Sequence, residues 1–216
     1  ILEAQFTSGA GNWCTWMFGR DLVNWNNNFT WAKWVTPSRD LISAFKQEGD
    51  EVRFKESIVY YDCNWSNYYS SDNYPFMYKC RSANSSIIKY RYADVLLLKA
   101  EALIMQDTPD LEGAADIIDE VRDRAKLGAL PTSVRSNKNV LLNALLKERR
   151  LELAFEGQRW FDLVRLDKVE EVMNAVYSKD SGRKAQIYTF DKNSYRLPIP
   201  QSVIDANDKI HQNPGY

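Results

Sequence analysis

Three glutamates, Glu148, Glu152 and Glu156, recur at i, i+4 and i+8 in the stretch ERRLELAFEGQRWFDLVRL (148–166), with Arg149, Arg150, Arg159 and Arg165 close by. Carboxylates are the working groups of glycoside hydrolysis, which needs two of them flanking a cleft at roughly 5 to 10 Å. Residues four apart on a helix instead stack along one line, where carboxylates among cations form ion pairs. The spacing therefore predicts pairing that ties helices together, not a catalytic dyad. Asp162, between Arg159 and Arg165, reads the same way.

A second chemistry lies in aromatic and amide side chains. Carbohydrate capture needs flat apolar faces for sugar rings, with amides or carboxylates for the hydroxyls. Trp13, Trp16, Trp25, Trp31 and Trp34 fall in SGAGNWCTWMFGRDLVNWNNNFTWAKW (8–34), and Trp65, Asn67, Tyr68 and Tyr69 in CNWSNYYSSDNYPFMY (63–78). Any one of these rings is as readily explained by packing a loop onto its scaffold. Their clustering carries the capture reading. Asn26, Asn27 and Asn28 are accounted for as turn formers.

Other chemistries find little support. Cys14, Cys63 and Cys80 contain no C-x-x-C pair, and the single histidine, His211, is distant, so zinc, cysteine–histidine catalysis and cofactor binding are not expected. A Cys63–Cys80 disulfide in an oxidising compartment and three free thiols both remain open. A net charge of −1, from 28 basic and 29 acidic residues, argues against a nucleic-acid partner. No apolar run approaches the roughly 20 residues of a membrane span. The chain begins at Ile1 without a signal-peptide pattern, which leads us to expect a processed or truncated polypeptide.

The elements that position these groups change character near residue 85. Six of the seven tryptophans precede it, together with many asparagines. Leu2, Ala4 and Phe6 alternate as in a short strand. Ser38 should cap a helix carrying Leu41, Ile42, Ala44 and Phe45 and ending at Gly49. Asp50, Arg53 and Lys55 lead into a strand at Ile58, Val59, Tyr60 and Tyr61, followed by the second aromatic loop. From Ile87 the sequence reads as helical, with residues 95–105 apolar on nearly every side. Thr108 and Pro109 are expected to open the next helix, whose stripe is Leu111, Ala114, Ala115, Ile118, Val121 and Ala125, before Gly128.

A second helix pair is expected from Asn139 to Glu156 and from Gln158 onward, with Gly157 as the stop and Val169, Val172, Met173, Val176 and Tyr177 as the later stripe. Leu151, Leu153, Ala154 and Phe155 occupy the line beside the glutamates, and the corner between the helices is expected to pack on Phe155, Trp160, Phe161 and Leu163. In the tail, Pro198 and Pro200 force extension, Ser202 is expected to cap a short helix through Ile204, and Asn213-Pro214-Gly215 makes a turn. Pairs of about 40 residues suggest a helical-repeat stack, although two pairs are fewer than the roughly three such stacks need.

Three segments, IIKYRYADVLLLKAEALI, KERRLELAFEGQRWFDLVRL and YRLPIPQSVIDANDKIHQNPGY, in this order and spacing, resemble the C-terminal half of SusD/RagB-type nutrient-binding outer-membrane lipoproteins. Glu148, Arg149, Arg150, Glu152, Leu153, Phe155, Glu156, Gly157, Arg159, Asp162, Leu163 and Arg165 fall on the family's central motif, and residues 212–216 on its terminal one. Gly49-Asp50 with Arg53, and Tyr78-Lys79, also look like family positions. Asp94 stands where glutamate is usual, and Asn207-Asp208 where Asn-Pro is common.

The resemblance implies a mainly α fold of tetratricopeptide-like helix pairs with long irregular loops and a few short strands. One domain over 1–216 would comprise an aromatic-rich part at 1–86, a helical scaffold at 87–178 and a C-terminal strap at 179–216. It also implies a non-catalytic protein on the outer-membrane surface, held by a lipid anchor outside this chain, that captures glycans for a SusC-like TonB-dependent transporter. The alternatives are a peptide-binding helical scaffold, since stacked helix pairs present grooves, and a glycoside hydrolase.

Overall fold

The computed structural model describes residues 1–7, 36–62, 73–79, 86–179 and 189–216, with the side chains of 177–179 outside that set. Two compact units divide the chain, Ile1–Arg159 and Trp160–Tyr216. The fold is mainly helical, with four short strands among the described residues.

The first unit opens with strand β1 (Leu2–Ala4), which pairs antiparallel with β4 (Ile87–Tyr90). Helix α1 (Arg39–Glu48) starts at Ser38, whose hydroxyl accepts from the Leu41 amide at 3.1 Å, and ends at Gly49 in the left-handed region, φ +70°. Both ends follow from residue chemistry: a hydroxyl satisfies an otherwise unpaired amide, and glycine lacks the Cβ that disfavours positive φ. Asp50 then caps a second helix, α2 (Glu51–Ser57), by accepting from the Arg53 amide at 3.1 Å. The sequence reading missed α2, because EVRFKES is a single short turn pair without a readable stripe.

Strand β2 (Ile58–Tyr61) pairs antiparallel with β3 (Tyr74–Met77), Ile58 opposite Met77 and Tyr61 opposite Tyr74. We expected residues 63–78 to be loop throughout, so β3 is a correction. Pro75 cannot donate to a ladder, but in a two-stranded ribbon its missing N–H can face away from the partner. Tyr74, Phe76 and Met77 are fully buried, and burial of these side chains overrides local polarity.

The expected helical onset at Ile87 is also corrected. Residues 87–90 form β4, and helix α3 (Tyr92–Met105) begins afterwards. Leu97, Ala100 and Ile104 of α3 pack against Ala114, Ala115, Ile118 and Val121 of α4 (Leu111–Arg124) and against Leu141 and Leu145 of α6 (Lys138–Glu152). Small alanines on α4 allow close approach of its neighbours. Asp110, not Thr108, caps α4, accepting from the Gly113 amide at 2.9 Å. Carboxylates and hydroxyls are both good caps, and Asp110 sits one residue before the first helical position. A short helix, α5 (Thr132–Arg135), precedes α6.

Helix α6 stops at Glu152, not at Glu156. Residues 153–157 form turns in which Phe155 adopts φ +66° and Gly157 φ +80°. Positive φ at Phe155 breaks the α-helical ladder before the glycine, so Glu156 leaves the line of Glu148 and Glu152. Leu151 and Ala154 join Ile42, Phe45 and Ile58 in a second core cluster.

Helix α7 (Arg159–Arg165), all but its first residue in the second unit, and α8 (Val169–Lys179) bury Leu163 and Val169. The Asn174 amide grips residue 190 twice, donating to the Phe190 carbonyl at 2.9 Å and accepting from its N–H at 3.0 Å. The Trp160 and Phe190 rings lie 6.3 Å apart. A 3₁₀ turn (Lys192–Tyr195) and helix α9 (Gln201–Asp205) follow. Ser202 lies inside α9 instead of capping it, because Pro200 already occupies the cap position. Gln212 closes the tail on itself, accepting from the Ile199 amide at 2.7 Å and donating to its carbonyl at 2.9 Å.

Candidate functional site

Trp13, Trp16, Trp25, Trp31, Trp34, Trp65, Asn67, Tyr68 and Tyr69 all lie outside the described residues, as do Cys14, Cys63 and Cys80. His211 is exposed on the tail. The described chemistry concentrates on the central glutamates.

Arg53 of α2 is the hub. Its Nε donates to Asp50 Oδ2 at 2.5 Å, and its Nη1 donates to Glu148 Oε1 at 2.6 Å and Glu152 Oε2 at 3.1 Å. Arg91, at the entry to α3, adds a fork: Nη1 to Glu152 Oε1 at 2.5 Å, Nε to Glu156 Oε2 at 2.7 Å and Nη2 to Glu156 Oε1 at 2.8 Å. Arg124, at the end of α4, also donates to Glu152 Oε1. Lys79 follows β3 and reaches Glu156 Oε1 at 2.5 Å and the Glu152 carbonyl at 2.7 Å. Arg122 joins Glu48 at 2.7 Å to Glu148 at 3.4 Å.

The partners are therefore not the neighbouring cations that the local spacing suggested. Arg149 turns to Asp94 on α3 at 2.9 Å with both groups buried, and Arg150 pairs with Asp40 of α1. Arg165 pairs within its own helix with Asp162 at 2.8 Å, and Arg159 donates to the Leu146 carbonyl at 3.2 Å. Gly157 supplies a positive-φ turn. Asp50, Arg53 and Lys79 stood out as positions of a family resemblance and Arg91 lay within its first segment, whereas Arg122 and Arg124 carried no sequence signal.

Burial pushes the Glu148 carboxyl above its ordinary 4.5, with Arg53 and Arg122 opposing. At Glu152 burial acts in the same direction, but the guanidiniums of Arg91, Arg124 and Arg53 outweigh it and hold the group below 4.5. Burial lowers the Lys79 ammonium from 10.5 against the pull of Glu156. Every carboxylate oxygen of Glu148, Glu152 and Glu156 faces a cation. Such groups hold elements together and are poorly placed to transfer a proton to a substrate.

Beside the cluster lies a cavity of about 200 Å³, bordered by Val52, Arg53, Ser57, Lys79, Arg91, Arg124 and Glu152 among others. Glu148 does not reach it. Among the described residues, one buried donor, Arg53 Nη2, has no partner. An unpaired buried donor ordinarily costs about 1–3 kcal/mol. Among the described residues no set of His, Cys, Asp and Glu is arranged to hold a metal ion, and no helix is long and apolar enough to cross a membrane.

Helices clamped to one another by buried ion pairs define a helical scaffold in the first unit. Residues 69–216 match the model of the SusD family, and the chain belongs to that family. It is 43% identical over 99 residues to the SusD-like protein P38 of Formosa agariphila, a match covering 43% of this chain and 19% of that protein. A SusD-like protein of Bacteroides fragilis superposes with a TM-score of 0.71 at 21% identity, covering 100% of this chain and 54% of that one. A laminarin-binding SusD-like protein gives a TM-score of 0.67 at 25% identity, covering 100% of this chain and 50% of that one. The chain thus spans about half the length of these two solved structures.

Proposed function

We propose that this chain is part of a cell-surface glycan-binding protein that captures polysaccharide or oligosaccharide without cleaving it and hands it to a SusC-like TonB-dependent transporter. In this reading the whole protein sits on the outer membrane through a lipid anchor outside the chain. The observation that carries the reading is membership of the SusD family across residues 69–216. Similarity over the full chain to a laminarin-binding relative supports a glycan as ligand. Saturation of the central carboxylates by arginines and a lysine weighs against a hydrolase.

The capture surface is assigned to Trp13, Trp16, Trp25, Trp31, Trp34, Trp65, Asn67, Tyr68 and Tyr69, since stacked rings and amides suit sugars. Affinity electrophoresis in laminarin and other polysaccharides tests this. Trp31→Ala and Trp65→Ala are each expected to weaken retention by about 1 to 3 kcal/mol with unchanged folding. Equal retention of both variants and the parent chain removes the assignment. Release of reducing ends overturns the non-catalytic reading.

A further inference from the structure

Helix α3 is apolar on nearly every side: Asp94, Lys99 and Glu101 are the only charged residues among its 14, and Asp94 is buried against Arg149. A helix of that composition is ordinarily covered all round. Leu97, Ala100 and Ile104 face the core shared with α4 and α6, but Tyr92, Val95, Lys99, Ala102 and Met105 are exposed. Tyr92, Val95, Lys99 and Ala102 stand at i, i+3, i+7 and i+10, the seam spacing along which one helix receives another. Ala102 permits close approach, and a lysine stem can cover apolar surface while its ammonium stays in water. The patch extends beyond the helix. Arg91 is extended, with φ −140° and ψ 166°, and its side chain turns to Glu152 and Glu156, so Tyr90 and Tyr92 project to the opposite side. Leu2 stands opposite Tyr90 in the β1–β4 ribbon, and such cross-strand partners share a face. Leu2, Tyr90, Tyr92, Val95 and Met105 are each more than half exposed, and all belong to the first unit. Contiguous apolar surface of this kind marks an interface.

We infer that this face receives a helix from a further part of the same polypeptide, laid along Tyr92, Val95, Ala102 and Met105. The inference rests on the reading above that the chain is part of a longer protein. Two solved relatives that superpose on all of this chain hold about as much polypeptide again, since the match covers 54% of one and 50% of the other. Stacked helix pairs leave the outer face of the last pair open until another pair covers it, and such stacks need roughly three pairs. A second copy of the chain suits the face less well. Two copies would meet about a two-fold axis, which turns the middle of the stripe towards itself. Lys99 lies at that middle, and two ammonium groups brought together repel.

Hydroxyl-radical footprinting read by mass spectrometry tests the face, comparing the 216-residue chain with the product of the complete gene. Labelling of Tyr90, Tyr92 and Met105 is expected to fall roughly fivefold or more in the complete product, because the core of an interface excludes water. Buried Tyr74 should stay protected in both, which shows that the chain is folded. Equal labelling of Tyr92 and Met105 in the two, or a complete product no longer than 216 residues, overturns the inference. Val95→Glu gives a second readout. It is expected to lower the Tm of the complete product by about 5 °C or more, through an unpaired carboxylate in an apolar interface, and to leave that of the 216-residue chain within about 2 °C. Equal shifts in both also overturn it. A dimer of the chain in sedimentation equilibrium that Val95→Glu dissolves assigns the face to a second copy, against the inference. None of these measurements uses a polysaccharide, so a failed interface and a failed glycan assignment are told apart.

Discussion

Arg53 and Glu148, 95 residues apart in the chain, meet at 2.6 Å with both side chains buried. This bond ties α2, part of the segment that follows the first aromatic stretch, to α6 at the centre of the helical scaffold. Because Arg53 simultaneously holds Asp50 and Glu152, the cap of α2 and the end of α6 are fixed by one guanidinium. A planar cation with fixed donors suits this role better than lysine.

Glu152→Ala leaves Arg53 and Arg91 facing the gap of a carboxylate whose side chain is only 1% exposed. Removing one partner of a buried ion pair costs about 3–5 kcal/mol. Urea unfolding is expected to show a loss of that order, while the folded fraction keeps its polysaccharide affinity. A midpoint equal to that of the parent chain rules out the clamp.

The Asp94–Arg149 pair, buried at both ends, offers a cleaner measure. Asp94→Ala removes the carboxylate that faces a buried guanidinium and is expected to cost about 3–5 kcal/mol, whereas Asp94→Leu combined with Arg149→Met should recover much of that loss, since an apolar pair of similar volume avoids desolvating two ions. A double-mutant cycle in urea decides it. Strictly additive losses would show that the two groups do not act as a pair.

Gly49→Ala isolates backbone strain. Gly49 has φ +70°, and a Cβ there would meet nothing within 4 Å. The left-handed conformation alone is expected to cost about 1–2 kcal/mol. An unfolding free energy within experimental error of the parent would mean that α1 can end without a left-handed residue.

Acid stability follows from the two opposed glutamates. For Glu152, held below 4.5 in the fold, the unfolded chain binds its proton first, so stability is lost as pH falls below 4.5 towards the folded value. Glu148, raised above 4.5 by burial, acts oppositely: as pH falls through its raised folded value towards 4.5 the folded state takes up the proton first and gains stability. Glu152→Gln is expected to flatten the acid limb below 4.5, and Glu148→Gln to remove the opposing slope above it. Urea midpoints between about pH 3 and pH 6 separate them. Identical slopes in both variants and the parent would contradict these assignments.

Local grammar made several elements legible. Ser38 and Gly49 bracket α1 because a hydroxyl cap and a glycine terminus act within a few residues. The buried stripe Ala114, Ala115, Ile118, Val121 follows from 3.6-residue periodicity alone. Strand β3 was hidden in a stretch rich in Trp, Tyr and Asn, since its stability comes from burying Tyr74 and Phe76 in a ribbon that local reading does not see. The candidate aromatic surface, by contrast, rests on sequence chemistry and family resemblance.

The sequence by itself determined the family, through the spaced motifs of residues 87–104, 147–166 and 195–216, and the presence of three glutamates rich in charge partners. Only the tertiary structure decided which cations those partners are. Helical spacing governs contacts within about one turn, whereas Arg53, Lys79 and Arg91 reach Glu152 or its neighbours across separations of 61 to 99 residues. Desolvation at those long-range junctions, which no local pattern encodes, then sets which carboxyl is lowered and which is raised.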